Sequence, residues 1–231
     1  KSAFIQNGTR GIVGDVFEVL ERENNHRVDF MFVHGFDVGQ LYSKYITGTV
    51  IPIGTLNNNS IAKSLDYSAK KNIAFISQWC PPDQEGLLIK TKEHVIPHQK
   101  FYFAESLVLN FLVEWCKKNE YDLHIIGREK LESYKSLEYN FFKNIIKGKF
   151  TFCSPNKTLN SYNIIDQSRV VAFIDSTLGY ESLARGNKTA AFTVRGSLLN
   201  IEGANFGWPG HYADTGPFWT NNPEPSDFKK N

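Results

Sequence analysis

Short apolar runs of strand length alternate along the chain with stretches whose apolar residues recur at helical spacing, a pattern that predicts βαβ units and parallel sheets. The first sixty residues read as a strand at Ala3–Gln6, a helix near Gly14–Glu23, a strand at Val28–His34, a helix at Val38–Ile46 and a short strand at Val50–Ile53. Gly54 to Ser60 is polar and turn-forming, as expected of a connection between lobes. A second series follows: strand Ile73–Ser77, helix Phe103–Lys118, strand Leu123–Ile126, helix Ser136–Ile146, strand Phe150–Phe152, helix Tyr162–Gln167, strand Val170–Ile174, helix Leu178–Arg185 and strand Thr189–Val194. Such a set makes a Rossmann-like lobe. Gln78 to Lys100, with Pro81, Pro82 and Pro97, is irregular enough to be read as a surface loop. From Gly196 onward Gly, Trp and Pro abound and periodicity fades, so this tail is expected to pack back on existing structure. The expected fold class is therefore α/β with two Rossmann-like lobes, the first incomplete, each a parallel sheet flanked by helices. The expected division is 1–60, 61–195 and a tail at 196–231.

Composition narrows the function classes. Among 231 residues, 26 Lys and Arg face 24 Asp and Glu, which argues against a surface dedicated to nucleic acid. The longest apolar runs, such as Val170 to Ile174, fall far short of the roughly 18 residues of a membrane helix. Cys80, Cys116 and Cys153 are widely separated and form no C-x-x-C, so the chain reads as a cytoplasmic protein without a disulfide framework. His94 and His98 have the spacing of a helical metal pair, but Pro97 between them breaks that helix, and no metal site is expected. The chain opens on Lys1 rather than Met and enters a strand almost at once, as expected of a piece of something longer.

The sharpest chemical signal is the run from Val170 to Gly186. A buried strand ends at Asp175, which places Ser176 and Thr177 at its carboxyl end and at the start of a helix, where amides and hydroxyls face an anion. Gly179 permits close approach, Gly186 suits the residue that ends the helix, and Glu181, one turn in, is placed to accept bonds from ribose or sugar hydroxyls. The structural alternatives are an N-cap at Ser176 or Thr177 and an exposed Glu181–Arg185 pair. Gly127 and Arg128 end another strand at the same edge, where Arg128 can hold phosphate, unless this is only a solvated strand end. Gln78 contributes an amide beside Trp79, which is expected to pack. In the first lobe Gln6, Asn7 and Arg10 follow a strand as acceptor or sugar contacts. Asp15 and His34 are the candidates for proton transfer, although an Asp opening a helix also suits the dipole and His34 also suits a satisfied loop position. The aromatic clusters at Asn205–Pro209 and Gly216–Trp219 are expected to pack rather than to stack on sugars.

The run Asp175-Ser176-Thr177-Leu178-Gly179-Tyr180-Glu181-Ser182-Leu183-Ala184-Arg185-Gly186-Asn187-Lys188 resembles the nucleotide-sugar-binding turn and helix of GT-B-type glycosyltransferases. The resemblance is strongest to bacterial surface-carbohydrate biosynthesis proteins and more distant to Kdo transferases and CDP-glycerol glycerophosphotransferases. Phe4 to Arg10 is similar to the Gln-x-Gly turn late in that family's N-terminal lobe, and Tyr45-Ile46-Thr47-Gly48 through Ile53-Gly54-Thr55 to its exit into the C-terminal lobe. The resemblance implies that residues 1–60 close an acceptor-side lobe and 61–195 hold the nucleotide. It also implies transfer from a nucleotide sugar, such as a CMP-linked ulosonic acid, to a glycan or lipid-linked acceptor of a growing surface polysaccharide. No cofactor beyond that donor is implied, and a place at the inner face of the membrane, peripherally bound, is compatible with it. The Glu-x7-Glu pattern of many retaining members is absent, since Phe173 stands eight residues before Glu181, so the stereochemical outcome is left open. A sugar-nucleotide epimerase or hydrolase, or an inactive binding scaffold, would use the same turn.

Overall fold

The computed structural model describes residues 1–8, 16, 17, 20, 25–63, 71–90, 95–154, 161–200 and 213–229. The chain divides into two compact units, Lys1–Ala62 and Lys63–Asn231. Both are α/β, with parallel sheets of three and six strands flanked by helices.

In the first unit β1 (Ala3–Ile5), β2 (His26–Val33) and β3 (Ile46–Pro52) lie side by side in that order. Strand β2 alternates, so Met31 and Val33 face a core that also holds Phe17, Leu20, Tyr42 and Ile46. The helix Phe36–Tyr42 covers that core and ends four residues earlier than the periodicity predicts, because β3 starts at Ile46. The polar stretch read as a connection carries a short helix, Leu56–Ser60. Of the helix expected near Gly14–Glu23, only Val16, Phe17 and Leu20 are among the described residues.

The second unit is built on β4 (Asn72–Ile76), followed along the chain by a two-stranded antiparallel ribbon of β5 (Leu87–Lys90) and β6 (Val95–Pro97). The remaining strands are β7 (Asp122–Ile126), β8 (Thr151–Cys153), β9 (Val170–Phe173), β10 (Thr189–Phe192) and β11 (Trp219–Thr220). The six-stranded sheet has the order β11-β10-β9-β4-β7-β8 and is parallel throughout. Numbered as the chain visits them, these strands lie 3-2-1-4-5-6, the Rossmann arrangement. Its central strands are buried on both faces, which is why they read as unbroken apolar runs.

The helix Phe103–Asn119 turns Ala104, Val108, Leu109, Leu112, Val113 and Cys116 toward one face of the sheet, a spacing of three and four residues. Burying each large aliphatic or aromatic side chain of that core stabilises the fold by about 1.5–3 kcal/mol. Glu132–Ile145 covers the same layer through Phe142 and starts a turn earlier than expected. The helix Thr177–Ala184 ends as its sequence predicts: Gly186 sits at φ +75°, its N–H donates to Leu183 O at 2.9 Å, and Asn187 N–H donates to Ser182 O at 3.1 Å. These two bonds form a Schellman cap.

The insert and the tail also depart from the sequence reading. The irregular insert holds the β5–β6 ribbon, whose apolar stretches Leu87–Ile89 and Val95–Ile96 are too short for a period to show. The tail supplies a sixth strand, β11, of two residues, and Ala191 N–H donates to Phe218 O at 2.7 Å. Farther along, Phe228 is buried against Phe111 and Phe192 at 5.3 and 5.1 Å between ring centres. Among the described residues no helix is long and apolar enough to cross a membrane.

Candidate functional site

The sheet itself creates a crevice. From β4 the chain moves out to β7 and β8 on one side, then crosses back to β9 and β10 on the other, so the connections after β4 and β9 diverge at a topological switch point. Register brings the strand ends level, with Ile76 opposite Ile126 and Phe75 opposite Ala172. Just beyond those ends lies a pocket of about 500 Å³ lined by Gln78, Gly127, Arg128, Ser176 and Thr177 among others. Five residues that the sequence assigned to a phosphate site therefore meet in one cavity.

Each is held by identifiable bonds. Ser176 occupies the N-cap position of the helix Thr177–Ala184 in extended conformation and accepts from Gly179 N–H at 3.0 Å through its carbonyl, but its side chain makes no capping bond. Gln78 Nε2 donates to Asp175 O at 3.0 Å and ties the end of β4 to that of β9. The Gln78 carbonyl accepts from Tyr102 Oη and from Arg128 Nη1, both at 3.1 Å, while Cys80 N–H donates to Tyr102 Oη at 2.9 Å. Arg128 stays exposed. A single bond to a carbonyl leaves the rest of its five-donor fork facing solvent, where a phosphate can be gripped by two parallel bonds.

Two buried charged clusters that the sequence reading missed fix this geometry. Glu138, fully buried on the helix Glu132–Ile145, accepts from Ser77 Oγ, from Arg128 N–H at 2.9 Å and from Glu129 N–H at 3.0 Å, thereby holding the turn after β7. Burial pushes its carboxyl above the usual range, against the pull of those donors. A Cβ on Gly127 would meet the Phe152 ring at 2.6 Å and Glu138 Oε2 at 3.3 Å, so this glycine serves the packing of the turn. On the other side Arg195, also fully buried, joins two carboxylates. Nε donates to Asp175 Oδ2 at 2.6 Å, Nη2 to Glu105 Oε1 at 2.6 Å and to Asp175 Oδ1 at 3.2 Å, and Nη1 to Glu105 Oε2 at 3.1 Å and to Phe101 O. All five guanidinium N–H groups are thus used, with Cζ 4.0 Å from the Phe101 ring centre. Position could have revealed both acids. Glu105 stands in the apolar register of its helix, and Glu138 precedes the core residue Phe142 by one turn.

His98 is packed among Trp79, Tyr102 and Phe141, and its Nε2 lies 2.9 Å from Cys80 O. Burial holds His98, and likewise His124 on β7, below the ordinary imidazole value of 6.5. The unfolded chain therefore binds protons that the folded chain refuses, and stability falls as pH drops below about 6.5. The urea midpoint is expected to decline between pH 7.5 and 5.5, and the decline to shrink in His98→Gln, whose amide cannot be protonated in this range. An equal decline in the variant would remove His98 from this account.

Of the other residues singled out in the second unit, Glu181, Gly179 and Trp79 do not line the pocket. Glu181 is buried and accepts from Tyr162 Oη at 2.6 Å, so it is neither a hydroxyl-binding group in this cavity nor the partner of Arg185. Arg185 pairs instead with Asp166, Nε to Oδ1 at 2.9 Å. Gly179 faces the Phe173 ring, where a Cβ would lie 2.1 Å from the nearest ring carbon, so its smallness serves packing of helix on strand. In the first unit Gln6 is buried; Oε1 accepts from His34 N–H at 2.9 Å and Nε2 donates to Gly8 O at 2.8 Å. That amide links the ends of β1 and β2, with Asn7 and His34 beside it. Arg10 and Asp15 lie outside the described residues, as do His94 and Asn205–Pro209. Trp79 packs, as expected, against Phe141 and His98.

The model of the family described as "putative O-antigen biosynthesis protein" matches residues 3–231, and the chain belongs to that family. No curated protein and no solved structure matches it. Its role accordingly falls within the biosynthesis of O-antigen, a surface polysaccharide.

Proposed function

From that membership we propose that the protein is a glycosyltransferase that takes a sugar from a nucleotide-activated donor and adds it to a growing surface polysaccharide. The observation that carries this reading is the meeting of Gln78, Arg128, Ser176 and Thr177 in one pocket at the switch point of a Rossmann sheet. As the bond to the sugar breaks, negative charge builds on the departing phosphate. The Arg128 guanidinium, the Ser176 hydroxyl and the positive end of the helix Thr177–Ala184 stabilise that charge without having to reorganise. For the acceptor, a glycan or lipid-linked sugar, the candidate contacts are Asn7 and Arg10, and Asp15 or His34 is the candidate to take its proton. The resemblance to Kdo transferases makes a CMP-linked ulosonic acid the first donor to try.

Calorimetric titration of the intact protein with CMP, CDP, UDP and GDP tests the donor site. One of them is expected to bind, and Arg128→Ala to weaken it roughly 10- to 100-fold, the worth of a charge-assisted bond. Unchanged affinity in that variant, or no binding by any nucleotide, contradicts the reading. Incubation with a donor sugar alone should leave it intact, since rapid conversion without acceptor would indicate a hydrolase or epimerase.

A further inference from the structure

A second cavity, of about 890 Å³, lies at the opposite edge of the same sheet, where β7 and β8 begin. The five residues of β7, about 16 Å of strand, separate it from the donor pocket. Lys117, Lys143, Lys147 and Lys149 stand around it, all exposed. None of the four ammonium groups makes a hydrogen bond or ion pair with a described residue. Lys117 and Lys143 occupy the last turns of the helices Phe103–Asn119 and Glu132–Ile145, where a cation suits the helix dipole. That does not account for Lys147 and Lys149, which lie past the helix end on an anchored loop. Lys147 N–H donates to Asn110 Oδ1 at 2.9 Å, and Asn110 Nδ2 donates to Ile145 O at 2.9 Å. Between the two lysines, Gly148 lies so close to the first helix that a Cβ there would strike the Val113 side chain. Like charges are thus gathered around one concavity against their mutual repulsion, which favours a negatively charged occupant.

The rest of the wall says which kind. Tyr121, Tyr139 and Phe150 line it, with Tyr139 41% exposed and its ring centre 6.1 Å from that of Phe150. The negative face of an aromatic ring attracts the C–H face of a sugar. Glu114 and Asp122 also line the cavity, and their carboxylates, which bond to no described residue, can accept from hydroxyls. A bare phosphate would use the cations alone, and a concave wall does not match the plane of a bilayer. A sugar chain that carries acid groups uses cations, rings and acceptors together.

We propose that this cavity is a second site, which binds an acidic oligosaccharide. The binding is independent of the nucleotide-donor reading; its use, to keep a charged glycan near the donor pocket between additions, rests on that reading. Calorimetry on the intact protein compares four probes: hexagalacturonate, maltohexaose, tripolyphosphate and phosphatidylglycerol vesicles. Hexagalacturonate is expected to bind about 10-fold or more tightly than the other three, and to weaken several-fold between about 50 and 300 mM salt. The double variant Lys147→Gln/Lys149→Gln should lose about 10-fold for hexagalacturonate, and Tyr139→Ala several-fold, with urea midpoints recorded to confirm folding. Nucleotide affinity should be unchanged in the lysine variant, so failure of this site and failure of the donor site are separate results. No binding of hexagalacturonate to wild type, or undiminished binding to the folded lysine variant, overturns the proposal. Equal or tighter binding of tripolyphosphate or of the vesicles overturns the saccharide as occupant.

Discussion

An Arg195→Met protein is expected to be less stable than wild type by about 3–5 kcal/mol, seen as a lower urea midpoint at unchanged slope. The side chains of Arg195 and Glu105 are 0% and 1% exposed, and that of Asp175 is 11% exposed. Removing the guanidinium strands both carboxylates away from water, a cost that methionine packing does not offset. The pairing itself need not be strongly favourable, because two desolvated charges largely cancel their own attraction. Pairing Arg195→Met with Glu105→Leu should therefore recover part of the loss. Arg195→Lys should recover little, since an ammonium cannot span two carboxylates and a carbonyl with five fixed donors. A single variant as stable as wild type would mean that this cluster does not hold the end of β9 in place.

Gly179→Ala carries the second large effect. Alanine favours a helix interior by about 1 kcal/mol over glycine. The added Cβ, however, would sit 2.1 Å from the Phe173 ring, which is itself fully buried, so the ring or the helix must move. Overpacking of that kind costs about 3 kcal/mol and wins, leaving a net loss of about 2 kcal/mol. Because the displaced helix carries Ser176 and Thr177 at its start, nucleotide affinity should fall with stability. Adding Phe173→Ala should cost less than the two single changes summed, since it removes the ring that the new methyl strikes. Thermal melts of the four proteins decide it, and strict additivity would show that the contact is not the cause.

The strands that shape the pocket were legible because buried parallel strands carry continuous apolar runs, and the run through Phe173 to Ser176 announced both a strand end and a helix start. Gly186 was legible because one left-handed residue ends the helix. Strand β11 was not, since two residues cannot display a period. The burial of Glu105 and Glu138 is signalled by their place in the register of their helices, but the pairing of Arg195 with Glu105 and Asp175, 90 and 20 residues away, is not legible along the chain. The placing of Glu181 depends on which way its helix faces. Spacing placed Glu181 one turn in, but only packing against Tyr162 shows that it turns away from the crevice.

Amide hydrogen exchange of the intact protein, with and without saturating CMP, CDP, UDP or GDP, bears most directly on the claim that a donor's phosphate docks at the switch point. Slower exchange is expected in the turns after β7 and β9, at residues 127–130 and 176–178, with at least one of the four nucleotides. No protection with any of them, or protection confined to other parts of the chain, would contradict it.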